Sequence, residues 1–256
     1  MSTQPLPIQL EQVHYAVDGR VILGGVDLTV SRGEIVGIMG RSGTGKTTLL
    51  RLVMGLARPA SGRVLVYGRD IVGLSDEQLD RVRLDMGMVF QGAALFDSMT
   101  VGENVAFGLV EHRRLPVREM AGRVRELLEM VDMSGSENLM PAQLSGGMRK
   151  RVGIARGLAL EPSIMLYDEP TAGLDPISSA AIDNLILRLC EQVGVSTLIV
   201  SHDVPSLRRV SDRAALLHGG VFLMTGKLQD LEASGNPAVK QFLSGSTEGP
   251  MTGEEE

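Results

Sequence analysis

A glycine-rich segment at residues 40–47, GRSGTGKT, fits the pattern G-x-x-x-x-G-K-S/T at every specified position. Such a pattern needs glycine where backbone N–H groups approach phosphate oxygens closely, because glycine has no Cβ. The lysine of the pattern, Lys46, is expected to reach the β- and γ-phosphates of a nucleotide, and the hydroxyl of Thr47 to coordinate Mg²⁺. The residues predicted to hold the nucleotide are Gly40, Arg41, Ser42, Gly43, Thr44, Gly45, Lys46, Thr47 and Thr48.

Two acidic residues follow a short apolar run later in the chain. Residues 164–167, IMLY, are succeeded directly by Asp168 and Glu169. In a parallel sheet, ligands bind outside the carboxyl ends of the strands, so both carboxylates are expected beside the nucleotide. Asp168 suits an Mg²⁺ ion that keeps much of its hydration, and Glu169 suits a general base for an attacking water. A solvated strand end with two acids is the alternative; the phosphate loop upstream favours the functional interpretation.

The phosphate loop requires a strand before it and a helix after it. Residues 34–39, EIVGIM, form a short, apolar and β-branched run, which is typical of a strand buried on both faces. The helical stretch LLRLVMGL follows at residues 49–56. This context favours a phosphate loop over an ordinary glycine-rich turn.

Strands and helices alternate along the rest of the chain. Residues 8–17 alternate in polarity like a strand, a second strand runs through 26–30, and STLIV at 196–200 is another short buried run. Helical spacing occurs at residues 75–85, 116–133 and 178–193. This alternation predicts an α/β fold with a parallel sheet that helices cover on both faces.

Domain boundaries follow from proline steps and from composition. The Leu115–Pro116 and Met140–Pro141 steps bracket a candidate helical lobe, which we place at about residues 92–143. The lobe is expected to lie within one domain covering residues 6–238. Residues 239–256 are assigned to a C-terminal tail that ends in the polar, acidic sequence GSTEGPMTGEEE, and we expect this tail to fray.

Composition excludes several classes of protein. The 256 residues carry a net charge of −6 and no tryptophan, so the basic and aromatic surfaces of a nucleic-acid-binding protein are not expected. The single cysteine, Cys190, rules out a disulfide within the chain and a cysteine-rich metal site. The first ten residues lack the basic start of a signal peptide, and the longest stretch free of acidic and basic residues, 214–226, is too short to span a membrane.

Further motifs occur in the order seen in one family. The sequence LSGGM at residues 144–148 is similar to the signature motif of ABC-type ATPases, and Gln91 after the strand-like MGMVF resembles their Q-loop glutamine. Residues 173–175, GLD, resemble the D-loop, and His202 after STLIV resembles the switch histidine. The resemblance extends from about residue 6 to residue 230. It implies a mostly parallel sheet with an N-terminal antiparallel β subdomain and an inserted helical lobe.

The resemblance also implies how the site is built. ATP, with Mg²⁺ held by Thr47, Gln91 and Asp168, would be hydrolysed with help from Glu169, His202 and Gln91. A head-to-tail homodimer would form, in which one chain's signature motif and D-loop serve ATP held by the other chain. The residues so implied are Ser145, Gly146, Gly147 and Asp175.

Two positions depart from the family pattern. Met148 stands where the signature motif usually ends in glutamine. The family also stacks adenine on an aromatic residue late in the first strand, a position that falls near Val17 by spacing. Tyr15, two residues earlier on the same face, is the candidate for that role, and ordinary core packing is the alternative.

One branch of the family is indicated by the stretch at residues 89–116 together with LSGGMRKR at 144–151. Both resemble the ATPase subunits of Mla/Mce-type phospholipid transporters, including the chloroplast lipid-import relative. The resemblance implies a permease subunit, a Mce-type substrate-binding protein and a small accessory subunit, with this chain on the cytoplasmic face of the inner membrane. Leu95 and Phe96 would lie where the family docks the permease's coupling helix, unless they belong to the core of the lobe.

Other ATPases share some of these motifs. An ATPase of a lipoprotein-release, export or cell-division complex is the alternative within the family. ABC ATPases of DNA repair carry long coiled-coil or zinc insertions, and translational ones generally have two such domains, whereas this chain has one phosphate loop and one cysteine. The basic run at residues 149–151, RKR, is expected to be a solvated helix face.

Overall fold

The structure is a computed structural model that describes residues 5–112 and 115–252. Residues 113 and 114, within the stretch 89–116 that supported the branch assignment, and 253–256, the acidic end of the tail, lie outside the described residues. A four-stranded antiparallel sheet, in the order β2-β1-β4-β5, forms the N-terminal part. Its strands are β1 (Ile8–Val17), β2 (Arg20–Val30), β4 (Ser61–Val66) and β5 (Arg69–Asp70).

The second sheet has six strands in the order β10-β9-β3-β8-β7-β6. All neighbours in it are parallel except β9 and β10, which are antiparallel. Its strands are β3 (Ile35–Met39), β6 (Met86–Val89), β7 (Ile164–Asp168), β8 (Ser196–Val200), β9 (Arg213–His218) and β10 (Val221–Gly226). The predicted α/β fold with a mostly parallel sheet and an N-terminal antiparallel part is confirmed.

The central strand β3 is buried on both faces, as its apolar sequence predicts. Ile35 and Met39 face one core cluster, which lies against the helices, whereas Val36 and Ile38 face the other, which lies between the two sheets. Gly37 leaves no room for a side chain, because a Cβ there would lie 2.5 Å from Ser211 Oγ. Every residue of β3 is therefore fixed by packing, and the strand presents the loop after Met39 at a defined place.

Nine helices cover the sheets in the described part of the chain. They are α1 (Lys46–Val53), α2 (Asp76–Arg83), α3 (Val101–Glu111), α4 (Val117–Met130), α5 (Gly146–Leu158), α6 (Pro176–Val193), α7 (Val204–Val210), α8 (Leu228–Glu232) and α9 (Pro237–Ser244). Several begin at side-chain caps: Ser75 and Thr100 form capping boxes with Gln78 and Glu103. None of the described helices is both long enough and apolar enough to cross a bilayer.

The helical lobe is formed by α3, α4 and a short 3₁₀ turn at Pro141–Gln143, which leads into α5. The loop before α3 is held by Asn104, which is fully buried. Its amide accepts a hydrogen bond from Phe96 N at 2.8 Å and donates to the carbonyls of Phe96, Met99 and Thr100. One buried side chain thus fixes the loop at residues 96–100 on the first turn of α3.

The C-terminal tail differs from the expectation that it frays. The predicted domain boundary at 238 falls inside α9, and residues 245–252 fold back on that helix. Met251 is buried, its N–H donates to Gln241 Oε1 at 2.7 Å, and its carbonyl accepts from Arg41 of the phosphate loop at 2.8 Å. The acidic, glycine-containing composition of the tail did not indicate that Met251 is an apolar anchor or that Gln241 on α9 is its hydrogen-bond partner.

Candidate active site

Four parallel strands end at the same edge of the sheet and position the site. Strand β3 leads into the phosphate loop, β6 into Gln91, β7 ends in Asp168 and is followed by Glu169, and β8 leads to His202. Strands β3, β8, β7 and β6 are consecutive neighbours in the sheet. Residues far apart in sequence therefore meet at one edge, as expected for a ligand site in a parallel sheet.

The phosphate loop requires glycine at two positions for steric reasons. A Cβ on Gly40 would lie 2.5 Å from Leu217 O, and one on Gly45 would lie 2.8 Å from Ile22 Cγ2. Gly45 also has φ of 98°, a left-handed conformation that caps the N-terminus of α1. The loop thus approaches its neighbours closely and points the first turn of α1 at the site, an arrangement suited to binding anions.

Lys46 is buried at the start of α1. Its Nζ donates to the carbonyls of Gly40 at 2.8 Å and Arg41 at 2.9 Å, and lies 3.9 Å from Glu169 Oε1. Burial lowers the pKa of the Lys46 ammonium, against the opposing charges of Glu169 and Asp168. The loop's own carbonyls thus hold the ammonium inside the phosphate loop.

Thr47 and Asp168 supply hard oxygen donors suited to Mg²⁺. The Thr47 hydroxyl donates to Asp168 Oδ1 at 3.1 Å, and Gln91 and Thr47 line the same cavity of about 290 Å³. No group of three or more His, Cys, Asp or Glu suited to a metal occurs in the described part of the chain. Mg²⁺ here would be held by Thr47 and Asp168 together with phosphate oxygens and water, and would neutralise phosphate charge.

Glu169 has a backbone conformation that is unusual for a residue with a side chain. Its φ is 48°, and its N–H donates to Val200 O at 2.9 Å. Its Oε2 accepts from Ser201 Oγ at 3.2 Å and lies 2.9 Å from His202 Nδ1. Strained conformations of this kind concentrate at functional sites, where the surrounding contacts enforce them. A buried carboxylate beside a half-exposed histidine is suited to taking a proton from water.

A larger cavity of about 650 Å³ adjoins the phosphate loop and is lined by residues such as Val21, Ile22, Arg41 and His202. Its size suits a small-molecule ligand. Tyr15, the candidate for stacking on adenine, is not among the lining residues and packs in part against the N-terminal core. The wall is formed instead by the start of β2, because the β1–β2 hairpin turns between Val17 and Arg20.

The signature residues lie apart from the chain's own phosphate loop. Ser145 caps α5 by accepting a hydrogen bond from Met148 N at 3.2 Å, and Ser145, Gly146 and Gly147 line none of the cavities beside the loop. Asp175 caps α6 in the same way. A Cβ on Gly146 would lie 3.2 Å from Leu174 Cδ2, so the signature motif and the D-loop are neighbours. These residues are available to a ligand held by another chain.

The expectation that residues 149–151 form a solvated face is wrong for Lys150. Arg149 is exposed, but Lys150 is 5% exposed and donates to the carbonyls of Gln91 and Glu169. The sequence held a signal for this. Lys150 lies three and four residues before Gly153 and Ile154, both buried, so helical spacing places it on the buried face of α5.

Comparisons with known proteins agree with this geometry. The model of a family described as ABC transporter matches residues 23–172. The chain is 42% identical to the intermembrane phospholipid transport system ATP-binding protein MlaF of Escherichia coli, over 95% of this chain and 91% of that protein. It is 40% identical to the chloroplastic protein TRIGALACTOSYLDIACYLGLYCEROL 3 of Arabidopsis thaliana, over 95% of this chain and 75% of that protein.

Among solved structures, the chain is similar to a dimeric, post-hydrolysis state of the ATP-binding cassette MJ0796 bound to ADP and Pi. The TM-score is 0.79 at 34% identity, covering 86% of this chain and 98% of that one.

Replacing Asp168 with Asn should stabilise the nucleotide-free chain. Burial, with the nearby charge of Glu169, raises the pKa of Asp168, so its ionised form costs stability at pH values above that pKa. If the ionised Asp168 costs the folded state about 1 kcal/mol, the melting temperature of Asp168→Asn should be about 2–4 °C above that of the wild type at neutral pH. The gain should shrink as the pH falls through the raised pKa toward the ordinary pKa of an aspartate, because the wild-type carboxyl then becomes neutral in the folded chain too.

The matched control for this measurement is Asp175→Asn. Hydrogen bonds from Ser178 lower the pKa of Asp175, so its ionised form is favoured by folding. Its substitution should not raise the melting temperature. An equal rise in both variants would contradict the assignment of the cost to Asp168.

Proposed function

The chain belongs to the ABC transporter family as its ATP-hydrolysing subunit, and we propose that it drives phospholipid transport by a membrane permease. The proposal for the cargo is supported by the 42% identity to MlaF across 95% of the chain. The proposal for the chemistry is supported by one arrangement above all. The Glu169 carboxylate lies within 3.2 Å of Ser201 and His202 side-chain atoms, at the strand edge that carries the phosphate loop.

In this mechanism the buried side chains divide the work between binding and proton transfer. Lys46 and the loop N–H groups bind the β- and γ-phosphates. On binding, the Lys46 ammonium exchanges its hydrogen bonds to the loop carbonyls for bonds to phosphate oxygens. Glu169 accepts a proton from the attacking water, and His202 orients that water beside the γ-phosphate. Gln91, at the end of β6, faces the same cavity and completes the wall.

Glu169→Gln should bind Mg-ATP and fail to hydrolyse it. The amide is similar in shape to the carboxylate and cannot accept the proton, and loss of a general base costs typically about 10²–10⁴-fold in rate. Steady-state ATPase activity and nucleotide binding should be measured on the same preparation. Turnover at the wild-type rate would contradict the role of Glu169. Lys46→Ala is the matched control and should lose binding itself.

We propose that two copies pair head to tail, so that each signature motif completes the partner's site. Ser145 and Gly147 are accessible in the single chain, and no neighbour lies within 4 Å of a Cβ on Gly147. The first turn of α5 has N–H groups without a partner inside the helix, its residues line neither cavity beside the chain's own phosphate loop, and its glycines allow close approach. In a two-fold symmetric dimer, both signature motifs would contact a nucleotide at the same time.

Mixing two inactive variants tests this pairing. Lys46→Ala removes one chain's phosphate contact and Ser145→Arg blocks its signature motif, so either variant alone should be inactive. In a mixed dimer one of the two composite sites contains an intact Lys46 and an intact Ser145, and ATPase activity should partly return. Folded variants that show no recovery on mixing would argue against head-to-tail pairing.

We propose that the permease docks on an apolar patch formed by Phe96, Phe107 and Val110 on the helical lobe. All three are exposed, by 41%, 38% and 60%, and the Phe96 and Phe107 rings lie 4.7 Å apart. Leu95, also predicted for this contact, packs partly against the core instead. The loop that carries Phe96 begins near Gln91, so a helix on the patch would sense the state of the nucleotide site.

Phe96→Asp should weaken binding of the permease without changing nucleotide binding. The substitution places a charge in an apolar contact, and Phe96 lies outside the cavities beside the phosphate loop. Co-purification with a permease encoded beside this chain's gene is the measurement. Val193→Asp is the matched control, since Val193 is equally exposed, at 41%, and ends α6, outside the helical lobe. Undiminished co-purification of Phe96→Asp would contradict the proposed patch.

The remaining parts of the proposal concern the assembly and its place. A Mce-type substrate-binding protein and a small accessory subunit would complete the complex, with this chain on the cytoplasmic face of the inner membrane. Extraction of phospholipid by the reconstituted complex, with and without ATP, tests the cargo. A complex that moves lipoprotein and no phospholipid would support the alternative within the family.

A further inference from the structure

Lys150 is a buried cation that the proposed mechanism does not use. It lies on α5 between two arginines whose contacts are to the helical lobe: Arg149 donates to Leu144 O, and Arg151 to Val131 O and Asp132. Lys150 instead donates to the carbonyls of Gln91 and Glu169, the latter at 3.0 Å. Those two residues follow neighbouring strands, β6 and β7, at the edge that carries the active site.

The contacts of Lys150 are unusual because they involve no carboxylate directly. It takes part in none of the ion pairs found among residues 5–112 and 115–252. Burial lowers the pKa of the Lys150 ammonium, with Glu169 and Asp168 opposing that shift from a longer distance. An apolar side chain of the same length would be buried at lower cost, so packing alone does not account for a lysine here.

We propose that Lys150 is a positioning residue for hydrolysis, whose ammonium ties the Gln91 and Glu169 carbonyls together and thereby sets the direction of the Glu169 carboxylate. Glu169 has φ of 48°, and its carbonyl accepts hydrogen bonds from both Lys150 Nζ and Ala172 N. A left-handed conformation at a residue with a Cβ persists where several contacts enforce it. Among the contacts of Glu169 with other described residues, the one from Lys150 is the one that α5 provides.

This inference rests on the proposed role of Glu169 as the base. Because Ser145 caps the same helix, the proposed dimer would place Lys150 between two sites: α5 serves the partner's nucleotide at its N-cap, Ser145, and this chain's base at Lys150, five residues later. Loss of the Lys150 hydrogen bonds should leave the phosphate loop intact, since Lys46 is held by the carbonyls of Gly40 and Arg41. The expected effect is therefore on turnover and not on nucleotide affinity.

Lys150→Met in the full-length chain tests the proposal. Misplacement of a catalytic group by about 1 Å can cost about 10²-fold in rate. We expect kcat to fall by about 10- to 100-fold while KM for ATP changes less than about threefold. Lys150→Arg keeps donors for both carbonyls and should retain most of the activity. Should Lys150→Met not fold, Lys150→Gln, which can still donate one hydrogen bond, replaces it.

Arg151→Met is the matched control for a purely structural role. Arg151 is the next residue on α5, its side chain is also mostly buried, and it too donates to a backbone carbonyl. It should lower the melting temperature and leave kcat unchanged. Equal losses of kcat in Lys150→Met and Arg151→Met, or a wild-type kcat in Lys150→Met, would overturn the proposal.

A second comparison separates this proposal from the assignment of Glu169. In single-turnover experiments, Lys150→Met should slow ATP hydrolysis when it is introduced into the wild-type chain. Introduced into Glu169→Gln, it should slow hydrolysis little further, because both substitutions act through the same carboxylate. If the two effects multiply instead, Lys150 acts independently of Glu169 and the proposal fails. If Glu169→Gln alone retains wild-type turnover, the base assignment fails, whatever Lys150→Met does.

Discussion

Asp168 and Glu169 place two carboxylates at the end of one buried strand. Their mutual repulsion, where little water reaches them, is the constraint on which the site depends. Burial and the neighbouring Glu169 raise the pKa of Asp168. The surrounding groups offset this charge: Thr47 donates to Asp168, while Ser201, His202 and the two lysines lie around Glu169. The charge of the two carboxylates is therefore offset by the ammonium groups of Lys46 and Lys150 and by neutral donors.

The backbone does as much of this positioning as the side chains. Strands β3, β6, β7 and β8 end side by side, and each carries one functional segment. Two residues near these strand ends are left-handed: Glu169 directly follows β7, and Gly45 caps α1 at the end of the phosphate loop. One of them is glycine, which adopts that conformation freely, and the other is held by its neighbours. At Gly45 the loop needs only room for its backbone, whereas position 169 also needs a carboxylate side chain.

Sequence reasoning succeeded where the signal is local. The strand–loop–helix around Gly40–Thr47 and the apolar runs of β3, β7 and β8 predicted both the fold and the edge at which the site lies. It failed where the partner is distant in sequence. The burial of Lys150 depends on Gln91 and Glu169, 59 and 19 residues away, and a count of charges on α5 does not reveal them. Tyr15 packs in part against the N-terminal core, the alternative that the sequence left open, and the start of β2 lines the cavity.

The signature motif illustrates how one substitution can be absorbed. Met148 stands where the family usually has glutamine, and its side chain packs partly against the core of the helical lobe. Its backbone N–H still donates to Ser145 Oγ, so the cap of α5 is unchanged. The methionine therefore contributes to packing, and the start of the helix keeps the backbone groups by which the motif would bind phosphate.

The fold-back of residues 245–252 bears on how the protein is handled in the laboratory. Arg41, a wall of the nucleotide cavity, donates to the Met251 carbonyl, and Gln241 donates to the Thr252 hydroxyl. A cut or an insertion within residues 245–252 would therefore act directly on the wall of the nucleotide cavity. Activity measured on a preparation that has lost this segment would not represent the intact chain.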